Sequence, residues 1–159
     1  MLFMHRVYEA NALDVLPCAA HTGCMETTQP KDMDTPDPVC AATAAVLQRF
    51  NQAFLAHDPS LLPALIAPDC VIERSQPAAK GTHLVGRDAC LAQWQAIAGN
   101  RGGAFTLEDV VVMGERGLVF WEYRTGPTAA DVTRGLNVMT VRDGLVIEGR
   151  GYVKAKAAA

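Results

Sequence analysis

Two segments set the architecture: VLQRFNQAFLAHD, Val46–Asp58, and APDCVIER, Ala67–Arg74. In the first, Val46, Leu47, Phe50 and Phe54 fall on one helical face with Val39 and Thr43, while Gln48, Arg49 and Gln52 leave it. Asp37-Pro38 opens this helix, since Asp caps and Pro suits a first turn, and Asp58-Pro59 stops it. Ser60 is placed to cap a second, short helix that ends at Pro68-Asp69. Cys70–Ser75 then reads as a strand carrying a carboxylate, Glu73, and a guanidinium, Arg74. Together with a strand-rich C-terminal half, this is the layout of a cone-shaped pocket lidded by helices.

Further along, Gln76–Val85 reads as a loop. A third helix spans about Arg87–Ala98, with Asp88 in its first turn, a stripe of Leu91, Trp94 and Ile97, and Gly99-Asn100 as its stop. Four strands follow, at Ala104–Met113, Leu118–Thr125, Asp131–Arg142 and Leu145–Lys154. Asp143-Gly144 is a tight-turn signal between the last two. Three N-terminal helices and a curved antiparallel or mixed sheet predict a single α+β domain over 37–154.

The flanking segments differ. Residues 1–36 lack periodicity and end in QPKDMDTPDP, so a disordered tail is expected, as is fraying over 155–159. Within the tail, Cys18, His21 and Cys24 superficially resemble a metal site. Structural zinc wants four ligands, and three are present, so no metal and no cofactor is expected.

Composition narrows the function classes. The chain has 159 residues, half of them hydrophobic, which suits one core. A net charge of -3 gives no pull toward nucleic acid or anionic lipid. No apolar run reaches the roughly 20 residues a membrane helix needs. His, Arg and Glu stand where a signal peptide would be apolar, so a cytoplasmic location is expected. Five cysteines form no disulfide framework, and Cys40, Cys70 and Cys90 sit in apolar patterns as core residues. No phosphate-binding loop or nucleophile with its base is present.

With its elements in this order, the chain resembles the nuclear-transport-factor-2-like superfamily, specifically its SnoaL-like branch of polyketide cyclase and ketosteroid isomerase type. The resemblance rests on QRFNQAFLAHD, APDCVIER, GRDACLAQW and GLNVMTVRDGLVIEGRGY, and covers residues 38–154. It implies a helix-lidded cone, a pocket for a small and largely apolar molecule, and a homodimer formed through the sheet. It does not imply one reaction, because the fold hosts many.

The isomerase site does not carry over intact. Phe50 stands where that family has a tyrosine after Gln-Arg, Arg74 where its general-base aspartate follows the strand's Val-Glu, and Asn137 where its protonated aspartate lies. The epoxide-hydrolase pattern also fails: its Arg-x-Asp is replaced by Glu122-Tyr123-Arg124, and Lys154 follows Tyr152-Val153 where an acid is required.

Strand parity predicts what lines the cone. Asn137 shares a face with Thr133, Gly135 and Met139, and Val119, Trp121 and Tyr123 share one on the neighbouring strand. Phe50, Trp94, Val119, Trp121, Tyr123 and Met139 are therefore expected to contact a ligand, although Trp121 and Tyr123 serve equally as core filler. Arg74 is the sharpest candidate, since a guanidinium facing the cone needs an acid or an anionic ligand; pairing with Glu73 or Glu148 is the plain alternative. Asn137 runs against strand propensity, which points to a hydrogen-bonding duty. Glu73 and His83 are the candidates for proton transfer. His57 needs only a helix-end role, and Glu122 and Arg124 read as an ion pair on the sheet's outer face.

Two functions follow. One is a cofactor-independent isomerase, cyclase or hydro-lyase using Arg74 for an oxyanion or carboxylate, Asn137 for orientation, and Glu73 or His83 for the proton. The other is a non-catalytic ligand-binding or dimeric assembly domain.

Overall fold

The structure, a computed structural model, describes residues 37–77 and 80–154. The tail, the Cys18/His21/Cys24 motif and the last five residues lie outside the described residues.

Helix α1 (Pro38–Leu55) begins where the Asp37 carboxylate accepts the Val39 N–H at 2.9 Å, with Pro38 in the first turn. It buries Cys40, Thr43, Val46, Leu47, Phe50, Asn51 and Ala53, a stripe at helical spacing. His57, at φ 51°, reverses the chain, and its Nδ1 lies 3.3 Å from the Ala98 carbonyl at the end of the second helix.

The expected second helix is not formed. Pro59–Leu61 and Pro63–Leu65 make two separate 3-10 turns, and strand β1 (Ile66–Arg74) starts four residues earlier than expected. The cause is local. Pro63 has no N–H to donate into a continuing α-helix, and Asp58 caps the first turn at Ser60. Pro68 is tolerated inside the strand because the β1 pairing shifts register between Ile66 and Val71, a place where no ladder bond is asked of it.

A second difference lies in the expected loop, where β2 (Thr82–Val85) pairs antiparallel with β1. It is four residues long with a polar inward residue, so it has little period-2 signal. Helix α2 (Arg87–Ala98) and strands β3 (Ala104–Met113), β4 (Arg116–Arg124), β5 (Val132–Arg142) and β6 (Leu145–Val153) fall within two residues of expectation. Asp143 and Gly144, at φ 52° and 75°, make the tight turn before β6 as a primed hairpin turn requires.

The six strands form one mixed sheet, ordered β2-β1-β6-β5-β4-β3. Only β1 and β6 pair in parallel. Register shifts also occur in the β3/β4 and β5/β6 pairs, and such bulges bend and twist strands. The sheet is curved and unclosed, with α1 and α2 packed on its concave side. This is the expected α+β cone.

The core fills the closed end with Leu47, Phe50, Leu62, Leu65, Ile66, Ile72, Met139 and Val146, each at most 2% exposed. Cys70 and Cys90 lie side by side within it. Burial, then the neighbouring Cys90, pushes the Cys70 thiol up to about 12, so it stays protonated and unreactive at neutral pH. Among the described residues, no helix is long and apolar enough to cross a membrane and no cluster of three His, Cys, Asp or Glu could hold a metal.

The convex face carries two charge clusters. In one, Arg134 bridges Glu108 at 2.8 Å and Glu122 at 3.0 Å, and Arg124 holds Glu122 at 2.9 Å. In the other, Arg150 binds Glu148 at 2.7 Å and approaches Glu73 at 3.8 Å, while Thr140 donates to Glu148 at 3.0 Å. Partial burial pushes the Glu148 carboxyl up, but the bonds from Arg150 and Thr140 outweigh it and leave it below its ordinary value. A lowered native pKa means stability present at neutral pH and lost as pH falls through that value. Glu148→Gln should therefore lower the melting temperature at neutral pH and flatten its decline below about pH 4.5, the ordinary carboxylate range. Thermal melts from neutral to acid pH check this, and an unchanged acid limb would show that Glu148 does not contribute.

Candidate ligand cavity

Between the helices and the concave face lies a cavity of about 370 Å³. Its closed end is apolar: Phe50, Ile72, Trp94, Val119 and Met139 are all buried. Its open end carries Gln76, Asn100, Tyr123 and Thr133, the first two exposed. Along one side runs a chain of rings. Trp94 meets Phe50 edge-on at 5.0 Å, Phe50 meets Phe54 at 5.1 Å, and Phe54 meets Phe105 at 5.7 Å. Phe105 then contacts Trp121 and Tyr123 at 5.9 and 4.5 Å. Three of these contacts are edge-to-face and two tilted, and such aromatic pairs add about 0.5–1.5 kcal/mol each beyond burial, so this wall is stiff.

The polar centre of the cavity is a single row of the sheet. Arg74 on β1 stands opposite Gly151 on β6, Gly151 opposite Asn137 on β5, and Asn137 opposite Val119 on β4. Because Gly151 has no side chain, Arg74 and Asn137 close over it. A Cβ there would lie 3.3 Å from Asn137 Oδ1 and 3.8 Å from Arg74 Cγ. Gly149, two residues back on the same face, admits the Trp94 ring, whose Cζ2 would lie 2.7 Å from a Cβ. The two glycines that alternate along β6 thus make room for the Arg74 stem beside the Asn137 amide and for an indole.

Arg74 has no ion-pair or hydrogen-bond partner among the described residues. The alternative pairing with Glu73 or Glu148 is not formed, because Arg150 holds both on the convex face. Strand alternation also corrects the expectation for proton transfer. Glu73 points away from Arg74's side of β1, His83 pairs with it in register on the same outer face, and both are exposed and absent from the cavity wall.

Every other expected contact residue lines the cavity: Phe50, Trp94, Val119, Trp121, Tyr123 and Met139, with Arg74 and Asn137. Phe50, Arg74 and Asn137 share one chamber. Sequence reasoning missed Asn51, Gln76, Asn100 and Thr106. Asn51 left a readable signal, because it is a polar residue on the α1 face that also carries Leu47 and Phe54. The other three sit in loops or beside the β3 bulge, where parity gives no guide.

Among the described residues, the wall contains no Asp, Glu, His, Lys or Cys. Arg74 is its one fixed charge. Such a site donates hydrogen bonds to an anion and cannot itself remove a proton at neutral pH, since a guanidinium stays protonated.

Residues 47–149 match the family described as a SnoaL-like domain. No curated protein matches the chain in sequence. Among solved structures, an NTF2-like protein of unknown function from Mesorhizobium loti is 43% identical, with a TM-score of 0.69 over 76% of this chain and 98% of that one. A candidate ketosteroid isomerase from Kribbella flavida is 19% identical, with a TM-score of 0.63 over 76% and 83% of the two chains. A protein from a soil-derived mobile gene cassette is likewise 19% identical, at 0.61 over 72% and 91%. The latter two share the fold.

The two β6 glycines should respond differently to a methyl group. Gly149→Ala forces the Trp94 ring to move and should destabilise the protein by about 1–3 kcal/mol, the cost of overpacking. Gly151→Ala displaces only the Asn137 amide, so it should leave the melting temperature nearly unchanged and weaken an anionic ligand by about 1 kcal/mol, one hydrogen bond. Melts and calorimetric titration of both variants check this. Equal loss of stability would mean that Gly151 is packed as tightly as Gly149.

Proposed function

Because this chain belongs to the SnoaL-like domain family, within the nuclear-transport-factor-2-like fold, we propose that its cavity binds a small, largely apolar molecule bearing a carboxylate, enolate or phenolate. The observation that carries this reading is the Arg74–Asn137 pair closed over Gly151 in a wall with no carboxylate among the described residues. An unpaired guanidinium at the edge of an apolar chamber is a standing demand for an anion. The ring wall meets the apolar body of the ligand, and Asn137 donates where the isomerase's protonated acid would donate.

Binding without chemistry is the reading this wall favours. An isomerase, cyclase or hydro-lyase of this kind needs a proton carrier. With Glu73 and His83 on the far face, the Tyr123 phenol and water are the remaining ones among the described residues. A catalytic role is therefore confined to reactions in which Arg74 and Asn137 stabilise an enolate and the proton arrives from Tyr123 or solvent.

Arg74→Ala should weaken 2-naphthoate by about 1.5–3 kcal/mol, the worth of a charged hydrogen bond, and leave naphthalene nearly unaffected. Calorimetric titration of both probes decides it, and equal losses would refute an anion-binding role.

The same proposal includes a homodimer through the convex face. Leu118, Phe120, Leu136 and Val138 form an apolar strip there, partly exposed and bordered by the two charge clusters, with Glu122 and Arg124 on one border. Apolar centres with charged rims are how stable interfaces are built. Light scattering at micromolar concentration should give twice the chain mass; a monomer would contradict it.

A further inference from the structure

Two residues of the cavity wall each carry a buried nitrogen with no hydrogen-bond partner among the described residues, Asn51 Nδ2 and Trp121 Nε1. Native proteins leave few such groups, because an unpaired buried donor forfeits its hydration with nothing in return. The indole is the more telling of the two. Turning over the Asn51 amide would exchange an unpaired donor for an unpaired acceptor, whereas Trp Nε1 can only donate. Its neighbour Phe105, at 5.9 Å and 72°, offers at most a weak π acceptor.

Both groups belong to the β3 and β4 side of the chamber, away from Arg74. Trp121 pairs with Leu107 in register, and its ring covers Gly135, the next inward position after Asn137 on β5. Asn51 lies one helical turn before Phe54, which packs on Phe105. One inward step along a strand is about 7 Å, close to the width of a six-membered ring.

Building on the anion-binding reading, we infer that the occupant is a bicyclic oxo-acid. It carries an anionic group at Arg74 and Asn137 and, about one ring away, a carbonyl oxygen that accepts from Trp121 or Asn51. The volume fits: 370 Å³ is the share of about a dozen waters, which is the scale of two fused rings with substituents. Neither nitrogen is open to water, so each meets the carbonyl after a turn of its own side chain, a common adjustment on binding.

The test compares chromone-2-carboxylate with 2-naphthoate, which has a similar bicyclic shape and the same carboxylate but no ring carbonyl. Calorimetric titration of the full chain should show chromone-2-carboxylate bound about tenfold tighter, the scale of one well-made buried hydrogen bond. Trp121→Phe, which keeps a ring and removes the donor, should erase most of that preference, any loss of ring contact falling on both carboxylates alike. If Trp121→Phe does not fold, Asn51→Leu removes the second donor at similar volume and carries the same comparison. Equal affinities on the native protein, or equal losses in the variant, overturn this inference while anion binding stands. If both carboxylates bind no better than naphthalene, the anion-binding reading falls and this inference with it.

Discussion

The parallel pairing of β1 with β6 is the constraint on which the rest of this structure depends. It brings a strand from the N-terminal third against the last strand of the domain and completes the sheet on the β1 side. Its register also puts Arg74, Gly151 and Asn137 in one row. A slip of one residue would turn Arg74 out to the convex face and bring Glu73 in, exchanging a cationic pocket for an acidic one. The bulge between Ile66 and Val71 absorbs Pro68 and lets the Val71–Arg74 segment keep that register. Local sequence, long-range pairing and the sign of the cavity's charge are thus linked through a few residues of β1.

A cavity whose only fixed charge among the described residues is an arginine is chemically one-sided. It can hold, orient and stabilise negative charge, and it can exclude water along the ring wall from Trp94 to Tyr123. It cannot start a reaction by taking a proton. The charged groups that could do so are instead spent on the convex face, where Arg150 gathers Glu73 and Glu148 and where Arg134 joins Glu108 to Glu122. Phe50, Arg74 and Asn137 bring a ring, a cation and an amide into one chamber.

Much of this was legible in the sequence. The face of α1, the stripe of α2 and the strict alternation of β4 and β5 assign Phe50, Trp94, Val119, Trp121, Tyr123, Asn137 and Met139 to the interior, because burial imposes a period on each element. Arg74 was legible as an oddity but not as a wall residue. Whether it meets Glu73, Glu148 or the cavity depends on Arg150 capturing both acids, a choice made between strands distant in sequence. The second helix was misread because Pro59 and Pro63 suit the start of either an α-helix or a 3-10 turn, and the pairing of Ile66 with Val146 decides between them. Strand β2 was missed because four residues are too few to show a period. The sequence places His83 in a loop near the mouth as a candidate for proton transfer, and only its register with Glu73 assigns it to the outer face.

The central claim is that the chamber recognises an anion through groups whose charge does not change near neutral pH. The most direct measurement is the affinity of 2-naphthoate, by calorimetric titration, between about pH 5.5 and pH 9, a range that brackets histidine titration and lies above ordinary carboxylates and below tyrosine. The account predicts a flat profile, because a carboxylate ligand stays ionised throughout, guanidinium groups do not deprotonate in proteins, and no histidine or carboxylate lines the wall among the described residues. A step of about tenfold within that range would contradict it, by revealing a titrating group at the site of binding.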